Sequence, residues 1–318
     1  MIVRYDRPVS RSAFLARRLA LFALVMVLLV IVAHRFGFLK TPDFVALVLV
    51  AALPAAFAVP LALIGLMRLW QIGALGGIAA VQALAYAALP LALPGYGYFL
   101  YESRPMLTEV STDLNDRPAW VSVPEADQQF LPRPPLSVVA STLQAEHYPG
   151  LNGRRYEGAI DRVYEAVRKV AVANGLVVTA SRGEAEALPD LQLRPAEDGT
   201  TATPPASAAT GTPPAEEALP ESGPLPMPRP DAISALIAAA EAGPAEPDGE
   251  ARLQLATKTF LLGLPFDAVV RLKEEAEMTL VDIRVAARYG PHDLGFSDEI
   301  AEGFLHALDA ELLGIAGN

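Results

Sequence analysis

The chain has 318 residues, 52% of them hydrophobic, a formal net charge of −11 and no cysteine. A mean hydropathy of +0.31 is too high for an ordinary water-soluble protein and directs attention to membrane spans. The missing cysteines exclude disulfide frameworks, thiolate zinc sites and cysteine nucleophiles, and the acidic balance, which arises after the membrane region, excludes a general affinity for nucleic acid.

The apolar excess lies before residue 95 and divides into three predicted spans, about 19–39, 44–67 and 72–93. In the first, Phe36, Phe38 and Leu39 extend the run beginning at Leu19, while Arg35 reaches back to the interface. A cleaved signal peptide is the weaker reading, because Ile31 spoils the small-x-small pattern ending at Ala33 and further spans follow. The second carries Pro54 and Pro60, which a membrane helix tolerates. In the third, Gly73, Gly76, Gly77, Ala80 and Ala83 form a small-residue stripe suited to packing within a bundle, and Trp70, Tyr96, Tyr98 and Tyr101 suit the membrane surface. Arg4, Arg7, Arg11, Arg17, Arg18 and Arg68 fall on one side, against Arg35, Lys40 and Arg104 on the other. The positive-inside rule then predicts a multi-pass protein of the cell inner membrane, with a cytoplasmic N-terminus and residues 102–318 in the periplasm. Gln82 and Tyr86 are the main polar side chains at depth, so residues 1–101 read as an anchor lying in the lipid bilayer and not as an ion path.

From Ser103 to Gly150 the chain is Pro-rich and polar, with short strands expected at Trp120–Val123 and Ser137–Ala140 and surface contacts from Trp120 and Phe130. A helix follows from about Ala159 to Asn174, its apolar face made by Ile160, Val163, Val167, Val170 and Ala171 and its stop by Gly175. Leu176–Ser181 is β-rich. Residues 183–250 are dominated by Pro, Ala, Glu, Gly, Ser and Thr and read as a disordered insertion within one domain, with a short helix predicted over Asp231–Ala242.

Order resumes at Arg252. Three alternating runs put Val270, Leu272, Val281, Ile283 and Val285 toward a core and Gln254, Lys258, Arg271, Lys273, Asp282, Arg284 and Arg288 on the opposite face. The short connection Glu274–Met278 predicts a hairpin that sets Arg271 across from Asp282 or one diagonal step away. Ile300, Phe304, Leu308 and Leu312 mark a last helix, about Ser297–Leu313. The fold class expected is therefore a three-span membrane α-helical bundle plus an α+β domain, an antiparallel sheet covered on one face by two helices.

With these elements in hand, the chain resembles the uncharacterised bacterial family known as domain of unknown function 1499. The resemblance rests on Leu107–Asp113, Pro118-Ala119-Trp120, Tyr148-Pro149 and Phe266-Asp267 with Arg271, and most strongly on Val281–Arg284, Arg288-Tyr289-Gly290 and Asp293-Leu294-Gly295 with Ile300. It covers most of residues 104–314, with the insertion looking like an addition to the family core. The chain has Ala268 where the family has an acidic residue, Val285 where it has Ser, Ser297 where it has Asn and Glu299 where it has Arg. The resemblance implies fold and location but no established activity.

The ligand-binding set read from the sequence is Lys258, Asp267, Arg271, Asp282, Arg284, Arg288 and Asp293. Arginine forks on an otherwise acidic protein suit an anionic group such as a carboxylate or lipid headgroup, whereas a solvated face of cross-strand ion pairs is the plainer reading. Asp293 is better explained as accepting backbone hydrogen bonds in a turn where Gly290 and Gly295 supply unusual angles. The four histidines have no zinc spacing, and no nucleophile elbow or phosphate loop is present, so neither a metal nor a cofactor is expected. The leading functional expectation is a non-catalytic module binding an anionic small molecule or an envelope protein partner. A hydrolase using Asp267 or Asp282 with Arg284, and a structural scaffold in an envelope assembly, stay open beside it.

Overall fold

The computed structural model describes residues 8–124, 126, 130–135, 137–183 and 249–314. Most of the predicted insertion, the Asp231–Ala242 helix included, lies outside the described residues.

Three helices are long and apolar enough to cross a membrane, and the protein is a membrane protein: α1 (Arg11–Arg35), α2 (Thr41–Ile72) and α3 (Gly77–Ser103). α1 starts earlier than the predicted span but stops at Arg35, leaving Phe36, Phe38 and Leu39 beyond it. α2 runs past both predicted ends, and α3 starts later, at Gly77, and runs on so that Tyr96, Tyr98 and Tyr101 lie within it. In lipid there is no hydrophobic drive between helices, so close approach of backbones must supply the attraction. The seam is accordingly built from alanine at helical spacing: Ala13, Ala16, Ala20 and Ala23 from α1, Ala55, Ala58 and Ala62 from α2, and Ala79, Ala80, Ala83 and Ala87 from α3. At Gly65 a Cβ would come within 2.7 Å of the Ala13 Cβ, so α1 and α2 touch too closely there for any side chain. Part of the predicted stripe serves otherwise: Gly73 and Gly76, at φ 63° and 141°, form the turn between α2 and α3, conformations that glycine alone adopts without cost.

Beyond α3 the chain builds a six-stranded antiparallel sheet: β1 (Glu109–Ser111), β2 (Arg154–Glu157), β3 (Val177–Arg182), β4 (Glu250–Lys258), β5 (Pro265–Glu275) and β6 (Met278–Ala287). The order is β1-β6-β5-β4-β3, with β2 on the same edge of β6 as β1 but at its other end. Three further helices are α4 (Val138–His147), α5 (Ile160–Ala173) and α6 (Phe296–Leu312). The predicted fold class, with an antiparallel sheet and helices packed on it, is what forms. One face of the sheet gives Leu253, Leu255, Val270, Leu272, Val281, Ile283 and Val285 to a core completed by Val163, Tyr164 and Val167 of α5 and Phe304, Leu305 and Leu308 of α6.

Two short strands expected before α5 do not form. Ser137 accepts a hydrogen bond from the Ala140 amide through its side chain and caps α4, so Val138 and Val139, β-formers locally, start a helix. Trp120–Val123 makes no ladder. The Gln254 side chain takes the place of a strand there, accepting from the Ser122 amide and donating to the Ser122 carbonyl at 2.9 Å each.

Candidate functional site

The β5–β6 connection is a two-residue turn, and it sets Arg271 directly opposite Asp282 and Lys273 opposite Leu280. Side chains alternate across a strand, so this register turns Ala268, Val270, Leu272, Val281, Ile283 and Val285 toward the helices and Asp267, Arg271, Asp282, Arg284 and Arg288 to the other face, which also holds Val269 and Ala286. Around Arg271, Asp282 and Arg284 that face is not open to water. The chain leaving α3 passes through β1 and then crosses it, residues 112–122 lying over the charges as a strap.

Asp267, Arg271, Asp282, Arg284 and Arg288 each meet a partner from their own chain, whereas Lys258 and Lys273 are exposed. Arg271, 5% exposed, donates to Asp282 at 2.8 Å, to Asp116 at 2.7 Å and to Asp113 at 3.2 Å. The second oxygen of Asp282 accepts from the Thr112 hydroxyl at 3.0 Å, and the same hydroxyl accepts the Ile283 amide. Arg284 grips Glu109 with two parallel bonds, Nε to Oε1 at 2.9 Å and Nη2 to Oε2 at 2.8 Å. It also donates to the Pro118 carbonyl and lies under the Trp120 ring, 4.8 Å from its centroid. Arg117 and Arg133 converge on the same Glu109 carboxylate, whose side chain is fully buried. Asp267 is held on both oxygens by Arg288. Burial would push the Asp113 carboxyl up, but the Asp116 and Asn115 amides and the Arg271 guanidinium hold it below the usual carboxylate range.

Asp293 stands apart, in the turn before α6. Its Oδ1 accepts the Gly295 amide at 2.9 Å, its own amide donates to the Leu107 carbonyl, and Gly290 and Gly295 take φ 89° and 81°. Beside it His292 Nδ1 accepts the Leu294 amide at 2.8 Å, so the ring proton sits on Nε2 and is donated to the Arg104 carbonyl. This turn therefore clamps the end of α3 to the start of α6. The charge around the clamp is dense. Burial pushes the Asp293 carboxyl up, and burial, with Glu302 and Asp293 nearby, pushes Asp298 up to about 6. The hollow at Asp293, bounded also by His292 and Tyr289, is about 50 Å³, room for water and little else.

A much larger cavity, about 920 Å³, opens where the sheet meets the helix ends. Its charged lining comes from separate elements: Arg35 at the end of α1, Lys258 at the end of β4, Arg288 after β6 and Glu299 on α6. Arg288 is engaged by Asp267 and Glu299 by Arg104, whereas Arg35 and Lys258 are exposed and form no ion pair among the described residues. Leu93, Tyr96, Val177, Phe260, Leu261 and Leu262 supply apolar walls. Of the sequence-read set, then, Lys258 and Arg288 line an open site, Asp267, Arg271, Asp282 and Asp293 lie buried elsewhere, and Arg284 is partly buried beside Glu109.

Residues 199–308 match the model of a family described as a protein of unknown function, DUF1499. The resemblance to that family holds. The match takes in β4, β5, β6 and most of α6, and begins inside the segment read as an addition to the family core; Leu107–Asp113, Trp120 and Tyr148-Pro149 precede it. Neither the curated proteins nor the solved structures contain a match to the chain.

Sequence reasoning did not single out Glu109, Asp116, Arg117 or Arg133 as partners of the sheet, nor Arg35 and the Phe260–Leu262 loop as cavity walls. A usable signal existed for the loop: three consecutive large apolar residues between two strands are out of place in a solvated turn.

Two measurements follow from this geometry. Glu109→Ala leaves three guanidinium groups without their shared carboxylate and should destabilise the domain by about 3–5 kcal/mol in denaturant unfolding of the full chain in detergent. Arg155→Ala, which breaks an exposed pair with Glu275, should change it little. For Asp298 the folded state holds its proton more tightly than the unfolded chain between the ordinary 3.8 and about 6. Stability contributed there is full below that window and lost as pH rises through it, so Asp298→Asn should flatten the pH dependence across it.

Proposed function

We propose that the protein is a non-catalytic binding module, held by its three helices at the outer face of the cell inner membrane, that takes a small anionic ligand in the cavity beside Arg35 and Lys258. The observation that carries this reading is the convergence of basic groups from α1, β4 and the end of β6 on one cavity, two of them without an ion pair among the described residues. On a chain of net charge −11, two basic groups that form no ion pair among the described residues and line one hollow give a local positive potential that favours an anion.

A binding role fits better than hydrolysis. Asp267 and Asp282 are both engaged by arginine inside the fold, and among the described residues the cavity is lined by no carboxylate other than the Arg104-paired Glu299. A general acid or base would have to reach the proton it moves, and these do not. Periplasmic placement of the domain is supported by the excess of arginine at the opposite end of the bundle, where Arg11, Arg17, Arg18 and Arg68 lie, over Arg35, Lys40 and Arg104.

A reporter active only in the periplasm, fused after residue 318, should be active, and activity confined to the cytoplasm would refute the placement. Hexyl phosphate, a short water-soluble anion, should bind the full chain in zwitterionic nanodiscs, and Lys258→Ala or Arg35→Ala should each weaken it about tenfold, or about 1.4 kcal/mol. Binding indifferent to both substitutions would refute the site.

A further inference from the structure

The polar half of the cavity selects for charge, and its apolar half narrows the ligand further. The β4–β5 loop is closed by its own hydrogen bonds: the Thr259 amide donates to the Leu264 carbonyl, the Gly263 amide to the Thr259 carbonyl, and the Leu264 amide to the Thr259 hydroxyl, each at 2.9 Å. Gly263, at φ 72°, closes the turn. At the tip of this turn Phe260 is 91% exposed and Leu261 74% exposed. Two large apolar side chains held out on an ordered turn are unfavourable in water and favourable in lipid.

Depth decides between the two solvents. Leu262 and Leu264 of the same loop pack against Val27, Val30, Phe44 and Val48, inside the bundle formed by α1 and α2. The loop is thus rooted at the last turns of α1, where Val32 and, just beyond the helix, Phe36 and Phe38 are exposed. The cavity continues from the loop to Leu93 and Tyr96 of α3, and its volume is at the upper end of what binding pockets enclose, about 300–1,000 Å³. A free inorganic anion would leave most of it unfilled.

We infer that the Phe260–Leu261 turn enters the boundary between headgroups and acyl chains, and that the cavity receives an anionic membrane lipid sideways from the adjoining leaflet. Its headgroup meets Arg35 and Lys258 while an acyl chain lies against Val177, Leu261 and Leu93. Arg288 is balanced by Asp267 and Glu299 by Arg104, so the net positive charge at the headgroup end comes from Arg35 and Lys258. This rests on the anion-binding function proposed above and adds the class of ligand.

The chain has no cysteine, so Leu261→Cys provides a single labelling position in the full protein. A spin label there, in vesicles of equal phosphatidylglycerol and phosphatidylcholine, should be more accessible to oxygen than to a water-soluble nickel chelate. Native mass spectrometry of the protein released from those vesicles should show phosphatidylglycerol retained about tenfold over phosphatidylcholine, falling to parity in the Arg35→Gln, Lys258→Gln double variant. Phe260→Ser with Leu261→Ser should cut lipid retention, and retention unchanged by that pair would overturn the lipid assignment. A label open to the nickel chelate, or retention without headgroup preference, while hexyl phosphate still depends on Lys258, overturns the lipid assignment and spares the anion site. Hexyl phosphate binding that ignores Lys258 overturns both.

Discussion

The register of β5 against β6 is the constraint on which the rest of the molecule depends. With a two-residue turn and a side-chain period of two, one pairing puts Val270, Leu272, Ile283 and Val285 under α5 and α6 and Arg271, Asp282 and Arg284 on the reverse. A slip by one residue would bury the charges against the helices and is heavily disfavoured. The reverse face then needs its own cover, because arginine and aspartate packed under a chain must be matched in charge and geometry. Glu109, Asp113 and Asp116 provide the matching, and they stand on the chain segment that emerges from α3. The charge pattern of the hairpin and the tie between domain and membrane helix are thus one arrangement.

A second tie lies at the turn before α6. His292 donates to the Arg104 carbonyl and packs against Tyr101, 5.1 Å between ring centroids, while the Arg104 side chain crosses Gly295 and reaches Glu299. Leu262 and Leu264 make a third contact on the far side of the sheet. The domain therefore sits on the bundle at several points, and the large cavity is the space these contacts leave between them.

What was legible in the sequence follows from the range of the interactions involved. Periodicity is local, so the hairpin, the core faces of α5 and α6 and three apolar helices could be read, and Arg271 does face Asp282. The partners of the charged face could not. Arg284 and Glu109 are separated by 175 positions, and Arg271 and Asp116 by 155, and no local pattern reports a strap that folds back over so long an interval. An alternating strand states that one face is polar, and leaves undecided whether that face meets water or protein. The cavity was hidden for the same reason, since Arg35, Lys258 and Glu299 meet only when the domain docks on the helices. Ser137–Ala140 shows the opposite limit: two valines favour a strand, and one capping serine is enough to start a helix.

Docking of the domain on the helix ends is the central claim, and a disulfide tests it most directly. A Cβ at Gly263 would lie 3.8 Å from the Arg35 Cα, and the chain has no other thiol to compete. Arg35→Cys with Gly263→Cys should crosslink rapidly on mild oxidation of intact membranes, as rapidly as a control pair placed at Glu275 and Met278 across the hairpin. A control pair that closes while the docking pair stays reduced would contradict the account.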